Sequence, residues 1–431
     1  MSSIEQLLTP IYDEDGIRSV NFFNGRLLSG EDLSDEQEAQ RQARRLLGRA
    51  SGEGVAFGLE VSEASGEVSS KQYPVISVEP GLAVNRAGQT LRLNSRTDVG
   101  LVRQEDAGSP SQTSVTFRDC RPLQPALYVA AESVYLLTLA PAEGREGQAP
   151  NAGYSKIPAS QNVRYIVEGV QFRLIELLAA NELGDRKTLR NRVAYQCFGV
   201  EDVKAVQSNF FGASAASYGL LDKLRAPPLQ LLTDCETPLA LIHWSAGGGI
   251  EFIDMWSVRR RVTRHAPDWR WDVLTGDRRA SETEAMVLQF QDHVADMFKR
   301  LSPENVAALD YFRYLPPAGL LRVRRSKSGN DPSQDFGGFD PNTFFKGRAH
   351  RPPVFIDGSA MRPVFREAIN YDPIDLLGPE TVLLYQTSQN EKAFKESKTV
   401  QPFVIFTTPY MRGIGSARFN VAQFNYSNLA E

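Results

Sequence analysis

Residues 20–61 restrict the fold more than any other stretch: VNFFNGRLLSGEDLSDEQEAQRQARRLLGRASGEGVAFGLEV. Phe22-Phe23 is an apolar doublet, followed by Asn24-Gly25, a pair that readily supplies the positive φ of a tight turn. After Leu27-Leu28, Ser29 stands three residues before Asp32, and Ser34 three before Gln37. Those spacings let a side-chain oxygen cap the orphan amides of a helix start, worth about 1 kcal/mol. Acidic residues come first (Glu31, Asp32, Asp35, Glu36) and basic ones last (Arg41, Arg44, Arg45, Arg49), the order that complements a helix dipole. The apolar stripe of Leu33, Ala39, Ala43, Leu46, Leu47 and Ala50 is thin. Gly48, Gly52 and Gly54 then release the chain into Val55–Val61, which alternates as a strand does. This pattern predicts a docking element whose Phe22, Phe23, Leu27 and Leu28 bury against a neighbouring domain or subunit. The same four residues suit closure of the chain's own β-domain equally well.

A chain of 431 residues exceeds one ordinary core and implies about two to four domains. A hydrophobic share of 42% with 23% charged residues describes a folded globular protein. The net charge of -4 argues against a surface that grips nucleic acid throughout. Cys120, Cys197 and Cys235 are far apart and odd in number, without CxxC or Cys/His spacing, so neither a disulfide framework nor a zinc site is indicated. The opening MSSIEQLLTPIYDEDG lacks a basic segment and a long apolar core, and no run approaches the roughly 18 apolar residues of a membrane span. The expectation is a protein made and folded in the cytoplasm. Asp13-Glu14-Asp15-Gly16 reads as a turn, since it lacks the spacing of a calcium loop.

From Val55 to about Leu139 the signals are mostly β. Leu82–Val84 and Thr90–Leu93 flank a turn at Asn85–Gly88, and Ala126–Leu139 is a strand candidate ending at Pro141. Gly108–Ser114 and Pro141–Pro158 read as loops, and Val163–Leu178 fits a strand or a helix. The basic run Arg186–Arg192 reads as a solvated helix face, with phosphate binding the less favoured alternative. Pro238–Trp244 and Ile250–Trp256 form a hairpin around Gly247-Gly248-Gly249; no Lys-Ser or Lys-Thr follows, so a phosphate loop is excluded. His243 on that hairpin reads as a core or cross-strand side chain. Arg259-Arg260-Arg261, Arg264, Trp269, Arg270 and Trp271 are a basic cluster interleaved with aromatics. That mix fits a plain structural surface, a protein interface in which Trp256, Arg260, Trp269 and Trp271 are anchors, or a nucleic-acid strand; the last is the least favoured.

Ser281–Glu284 has capping-box spacing, and Val287, Phe290, Val294, Met297 and Leu301 then step by three and four as an intramolecular seam. Ser302-Pro303 predicts a second helix start, ending before Pro316-Pro317. Arg322–Phe339 reads as an exposed linker. Phe344-Phe345-Lys346-Gly347-Arg348 echoes Phe22-Phe23-Asn24-Gly25-Arg26, and Val382–Tyr385 and Phe403–Phe406 look like paired strands across a lysine-rich segment. The terminal NYSNLAE is expected to lie over another surface. The whole is a multi-domain α+β chain, β-rich with an N-terminal helix and a central helical pair. Its expected divisions are 1–51 (arm and docking helix), 52–275 (β-rich), 276–321 (helical) and 322–431 (linker and C-terminal β-containing domain).

Catalytic motifs are missing. His243, His265, His293 and His350 are scattered, and no HExxH, GxSxG or Walker A sequence occurs. A glycosidase pair is assembled in space, so Asp254, Asp340 and Asp357 are the carboxylates to watch for one. The expectation is no enzyme, no cofactor and no metal.

The order FFNG-R-LL, acidic helix start, RR-L, then G-V-x-x-GLEV resembles the N-terminal signature of a family encoded with contractile injection systems, which are phage-tail-like particles. Phe312–Leu321, Arg351–Leu377 and Arg418–Asn428 are similar to later blocks of the same family, in the same order; 102–280 has no such match. The resemblance implies an accessory baseplate or anchoring component. Its partners would be other baseplate or tail proteins, in several symmetric copies, with indirect association to a membrane and none with nucleic acid. The alternatives are a glycan-acting hydrolase of the particle and a tail-fibre or adhesin-like binding protein.

Overall fold

The computed structural model describes residues 16–65, 68–102, 129, 131–149, 163–212, 218–264, 269–275, 277–326, 335–348, 350–379, 381–397 and 399–409. The Gly108–Ser114 loop, the Arg418–Asn428 block, the terminal NYSNLAE and most of the Asp13–Gly16 turn lie outside them. The chain is a mixed α+β fold with several small sheets.

Helix α1 (Gly30–Ser51) starts at the expected cap. The Asp32 amide donates to Ser29 Oγ at 3.1 Å while the Ser29 amide donates to Asp32 Oδ2 at 2.9 Å. Strands β1 (Gly54–Gly58), β2 (Val61–Glu63), β3 (Val75–Val78), β4 (Gly81–Val84), β5 (Thr90–Leu93) and β6 (Thr97–Gly100) form two antiparallel sheets, β1-β4-β5 and β2-β3-β6. The β4–β5 hairpin turns where expected, with the Gly88 amide donating to the Asn85 carbonyl at 2.9 Å. Gly88 and Gly48 are points of backbone contact: a Cβ on Gly88 would lie 2.0 Å from the Arg45 carbonyl, and one on Gly48 2.0 Å from the Gly88 carbonyl. The last turn of α1 therefore rests directly on this hairpin.

A central antiparallel sheet follows, of order β10-β9-β7-β8, from β7 (Ser133–Gln148), β8 (Val163–Ala179), β9 (Thr237–Ser245) and β10 (Gly249–Asp254). The ambiguous stretch at Val163 is thus a strand, and the segment after Pro141 is not wholly a loop. Strand β7 runs on to Gln148 because beyond Leu139 it pairs with β8 alone, and proline is tolerated on such an edge. Both faces of this sheet are covered, which period-two alternation makes visible. Tyr135, Leu137 and Leu139 pack with Ala240, Ile242 and Trp244 toward the small sheets, and Val134 and Leu136 with Leu241 toward helices. Those helices are α2 (Arg186–Cys197) and α4 (Gly219–Arg225), which contribute Leu189, Val193 and Leu224; α3 (Val200–Ser208) between them packs Val203 and Val206 against Tyr218 and Val273. Helix α2 is not a solvated basic face: Arg190 and Asn191 are buried, because the interior supplies Asp254 for one and the 313–314 backbone for the other.

Helices α5 (Trp269–Thr275) and α6 (Asp277–Arg300) lead to the C-terminal half. The expected seam is in place in its middle, with Phe290, Val294 and Met297 in an aromatic core beside Phe312, Phe339, Phe344 and Phe345, whereas Val287 is half-buried and Leu301, just past α6, is 37% exposed. Two expectations fail nearby. Ser281 lies one turn inside α6 and is buried, so it is no cap. The second helix reduces to 3-10 turns at Pro303–Asn305 and Ala308–Asp310, since the chain is drawn into strand β11 (Tyr314–Leu315). Strand β12 (Ala318–Arg322) is followed by a ribbon of β13 (Arg325–Ser326) and β14 (Asp335–Phe336), so the supposed linker is tied at both ends and Phe339 is core. The rest comprises α7 (Pro341–Phe344), β15 (Val354–Ile356), α8 (Met361–Ala368), β16 (Ile374–Asp375), β17 (Leu383–Thr387), α9 (Ser388–Glu396) and β18 (Phe403–Thr407). A second four-stranded sheet, β12-β18-β17-β15, places Leu321, Leu384, Val404 and Phe406 against the aromatic core and Leu383, Tyr385 and Ile405 against α8. Its β17–β18 pair is the one expected, with α9 as the lysine-rich insertion. Among the described residues no helix is long and apolar enough to cross a membrane.

Candidate docking surfaces

The N-terminal arm folds back along α1 as a hook. The Val20 amide donates to Glu36 Oε2 at 3.2 Å, Arg26 Nη1 to the Asn21 carbonyl at 2.6 Å, and Arg26 also pairs with Asp32. Hydrogen bonds from the Ser29 amide and hydroxyl, helped by Arg26, hold the Asp32 carboxyl below its usual range. This polar staple leaves the apolar side chains outside. Phe22, Phe23, Leu27 and Leu28 are between 52 and 94% exposed, and Leu33, Leu46 and Leu47 extend the apolar surface along α1. Only Ala39 of the helix is buried. Among the described residues, the four arm side chains do not close the β-domain.

The echoed pentapeptide makes the contrast sharp. In both copies the arginine amide donates back to the second phenylalanine carbonyl, at 3.2 Å for Arg26 to Phe23 and 2.9 Å for Arg348 to Phe345. Both glycines take positive φ, +91° at Gly25 and +79° at Gly347. Phe344 and Phe345 are each 1% exposed in the aromatic core, whereas Phe22 and Phe23 face solvent.

The basic-aromatic cluster does not form one surface. Arg259 stacks over the Trp256 ring at 5.4 Å, and half-buried Trp256 hydrogen-bonds Asp292. Arg260 turns inward, donating to the backbone carbonyls of Trp256, Ser257 and Arg259 and lying 4.7 Å over the Phe198 ring. Neither is a free anchor, because each guanidinium and indole finds partners inside. Trp269 is the first residue of α5. Trp271 is half-exposed and meets Phe210 edge-on at 4.9 Å, and Phe210 in turn meets Phe211 at 5.3 Å. With Arg270 stacked 5.5 Å over Phe210 and Leu274 exposed, these residues make a second apolar patch. Phe210-Phe211 went unnoticed in the sequence, although an aromatic doublet beside a glycine is the same signal as at Phe22-Phe23. A third patch, Tyr165, Ile166 and Val167, lies at the outer end of the β7–β8 hairpin.

The carboxylates watched for glycan chemistry are committed locally. Asp254 accepts from Arg190 and Gln289, Asp340 caps α7, and Asp357 caps the 3-10 turn Gly358–Ala360. No cluster of three or more His, Cys, Asp or Glu able to hold a metal occurs among the described residues. His243 is buried against Phe252, and burial lowers its pKa despite Glu251 and Glu132 nearby. Cysteine counting missed one feature: Cys235 is disulfide-bonded, because sequence spacing is blind to pairs closed by tertiary contact. Cys197 is a free, buried thiol.

No protein-family model matches the chain, and no curated protein matches it.

Proposed function

We propose that this chain is a structural component of a contractile injection particle, held at the baseplate by its N-terminal arm and α1. The observation that carries the docking part is the exposed run Phe22, Phe23, Leu27 and Leu28 on a polar-stapled hook. Burying four such side chains contributes up to roughly 1.5–3 kcal/mol each, against which the cost of association is set. The occupant is a neighbouring protein of the particle with an apolar groove. The buried copy of the same turn at Phe344-Phe345 supports this, since it is the arrangement these residues take when a core receives them. The particle itself comes from the resemblance in the FFNGR-LL and GLEV blocks. A baseplate repeats its parts around an axis, so several copies would add their contacts by avidity and connect the baseplate to a cellular surface. Catalysis is not part of this role, and the local commitments of Asp254, Asp340 and Asp357 favour no second, hydrolytic reading.

Cryo-electron microscopy of purified particles with the chain present and deleted tests the proposal. Density lost from the baseplate periphery on deletion is the expected result. An unchanged baseplate, with the protein found only as a free monomer, would overturn it.

A further inference from the structure

Where β1, the β4–β5 hairpin, α4, β9 and α6 converge, the fold forms a partly open cavity of about 60 Å³. Four arginines line it: Arg86, Arg225, Arg260 and Arg278. Three carboxylates line it too, and all are occupied. Glu53 accepts from Arg86 at 2.6 and 3.1 Å, and Asp222 from Arg86 at 2.9 Å and Arg278 at 3.0 Å. Glu282 accepts from Arg278 at 3.0 Å and the Tyr218 hydroxyl at 2.8 Å. Four cations against three anions leave the lining one positive charge in excess.

The excess falls on Arg225 and Arg260. Among the described residues Arg260 hydrogen-bonds only backbone carbonyls and lies over the Phe198 ring; Glu282 acts on it as counter-charge without a hydrogen bond, and is itself held by Arg278. Arg225, on a side chain 9% exposed, reaches Glu53 and the Glu236 carbonyl only through Nη2, each at 3.5 Å, and shares Glu53 and Asp222 with Arg86; its Nε has no hydrogen-bond partner, with the largely exposed Asp234 3.7 Å away. Two hydroxyls in the same wall are also unpartnered and more than nine-tenths buried, Thr237 Oγ1 and Ser281 Oγ. A buried donor left unsatisfied is costly, and three beside one small cavity mark a place where something accepts from them. Burial pulls the pKa of Arg225 and of Arg260 downward, and the carboxylates nearby do not fully offset it. Cys197 shares the wall, but burial pushes its thiol up to about 12, so it offers no thiolate.

We infer that this cavity is a binding site for one small oxyanion of the phosphate or sulfate class, accepting hydrogen bonds from Arg225, Thr237 and Ser281 and neutralising Arg260. At roughly 10–15 Å³ per water, the volume holds a few waters or one such ion. That volume is the size of the free ion, which is taken as the ligand. Bound there, it would lock the sheet to α4 and α6 directly beneath Glu53, the exit of α1.

The test is thermal unfolding of the full chain against inorganic phosphate and sulfate, with chloride at matched ionic strength as reference. A saturable rise in Tm with phosphate or sulfate is expected, with density for one ion in the cavity by crystallography. The variant Thr237→Val/Ser281→Ala removes both hydroxyls without changing charge, and should weaken apparent affinity about tenfold or more while the chain stays folded. If that variant does not fold, Ser281→Ala alone, weakening binding by a smaller factor, serves the same purpose. No rise over chloride, a rise undiminished in the variants, or only water in the cavity would each overturn the inference.

Discussion

Arg190 Nε donates to Asp254 Oδ2 at 2.8 Å, with the two side chains only 6 and 1% exposed. Gln289 Nε2 reaches the same carboxylate oxygen at 2.8 Å, and Arg190 Nη1 reaches Asp296 at 2.7 Å. One buried charge pair thus ties α2, the end of β10 and α6 together. Next to it, Asn191 receives the Arg313 and Tyr314 amides and donates to the Tyr314 carbonyl, joining α2 to the C-terminal half.

Removing Asp254 leaves the buried Arg190 with only the part-exposed Asp296 as counter-charge and strips Gln289 of its acceptor. Asp254→Ala should therefore cost about 3–5 kcal/mol of stability, read from urea unfolding. Arg190→Met/Asp254→Ala should cost less than the sum of the two single changes, since neither charge is then stranded. A loss below about 1 kcal/mol for Asp254→Ala would show that the joint does not depend on this pair.

These joints explain what the sequence made legible. Short apolar runs bounded by turn or charged segments announced β9, β10, β17 and β18, and the Ser29 cap announced α1, because those signals are local. Arg190 looked like a surface residue because its partner is 64 positions away. Ser281 looked like a cap because the spacing to Glu284 was right, but α6 had already begun at Asp277. Pro141 looked like a strand end because edge status depends on where β9 stops pairing. Arg260 had the composition of an interface anchor, and only tertiary packing on Phe198 turned it inward.

His293 supplies a pH dependence. It is buried against Phe312 at 4.6 Å, and burial, with Arg190 adding to it, holds its pKa well below the ordinary 6.5. The native state keeps this imidazole neutral while the unfolded chain protonates it near 6.5, so the unfolded state binds the extra proton. The contribution is fully present above pH 6.5 and falls by about 1.4 kcal/mol per pH unit below it, until the native value is reached. Stability curves at pH 5 to 7.5 should slope less steeply for His293→Phe than for the parent chain. Equal slopes would place the acid sensitivity elsewhere.

The seat of α1 can be loosened on its own. At Gly88, φ is +84° and a Cβ would lie 2.0 Å from the Arg45 carbonyl. Gly88→Ala should lift the helix end from the β4–β5 turn at a cost of about 1–3 kcal/mol. Faster proteolysis between Arg45 and Arg49, with the central sheet still protected in hydrogen exchange, is the expected outcome. An unchanged cleavage rate would mean that other contacts seat the helix.

The two copies of the phenylalanine turn decide the docking question. Phe344 is fully enclosed, so Phe344→Ala should leave a cavity and cost about 3–5 kcal/mol. Phe22 and Phe23 bury little within the chain, so Phe22→Ala/Phe23→Ala should shift isolated-protein stability by no more than about 0.5 kcal/mol. The same double change should abolish retention on purified particles, because there the rings would fill a partner's groove and account for several kcal/mol. A double variant that unfolds would show that the rings belong to the chain's own core. One that folds and still remains on the particle would remove the arm from the attachment, leaving the patch at Phe211 and Trp271 as the surface to mutate next.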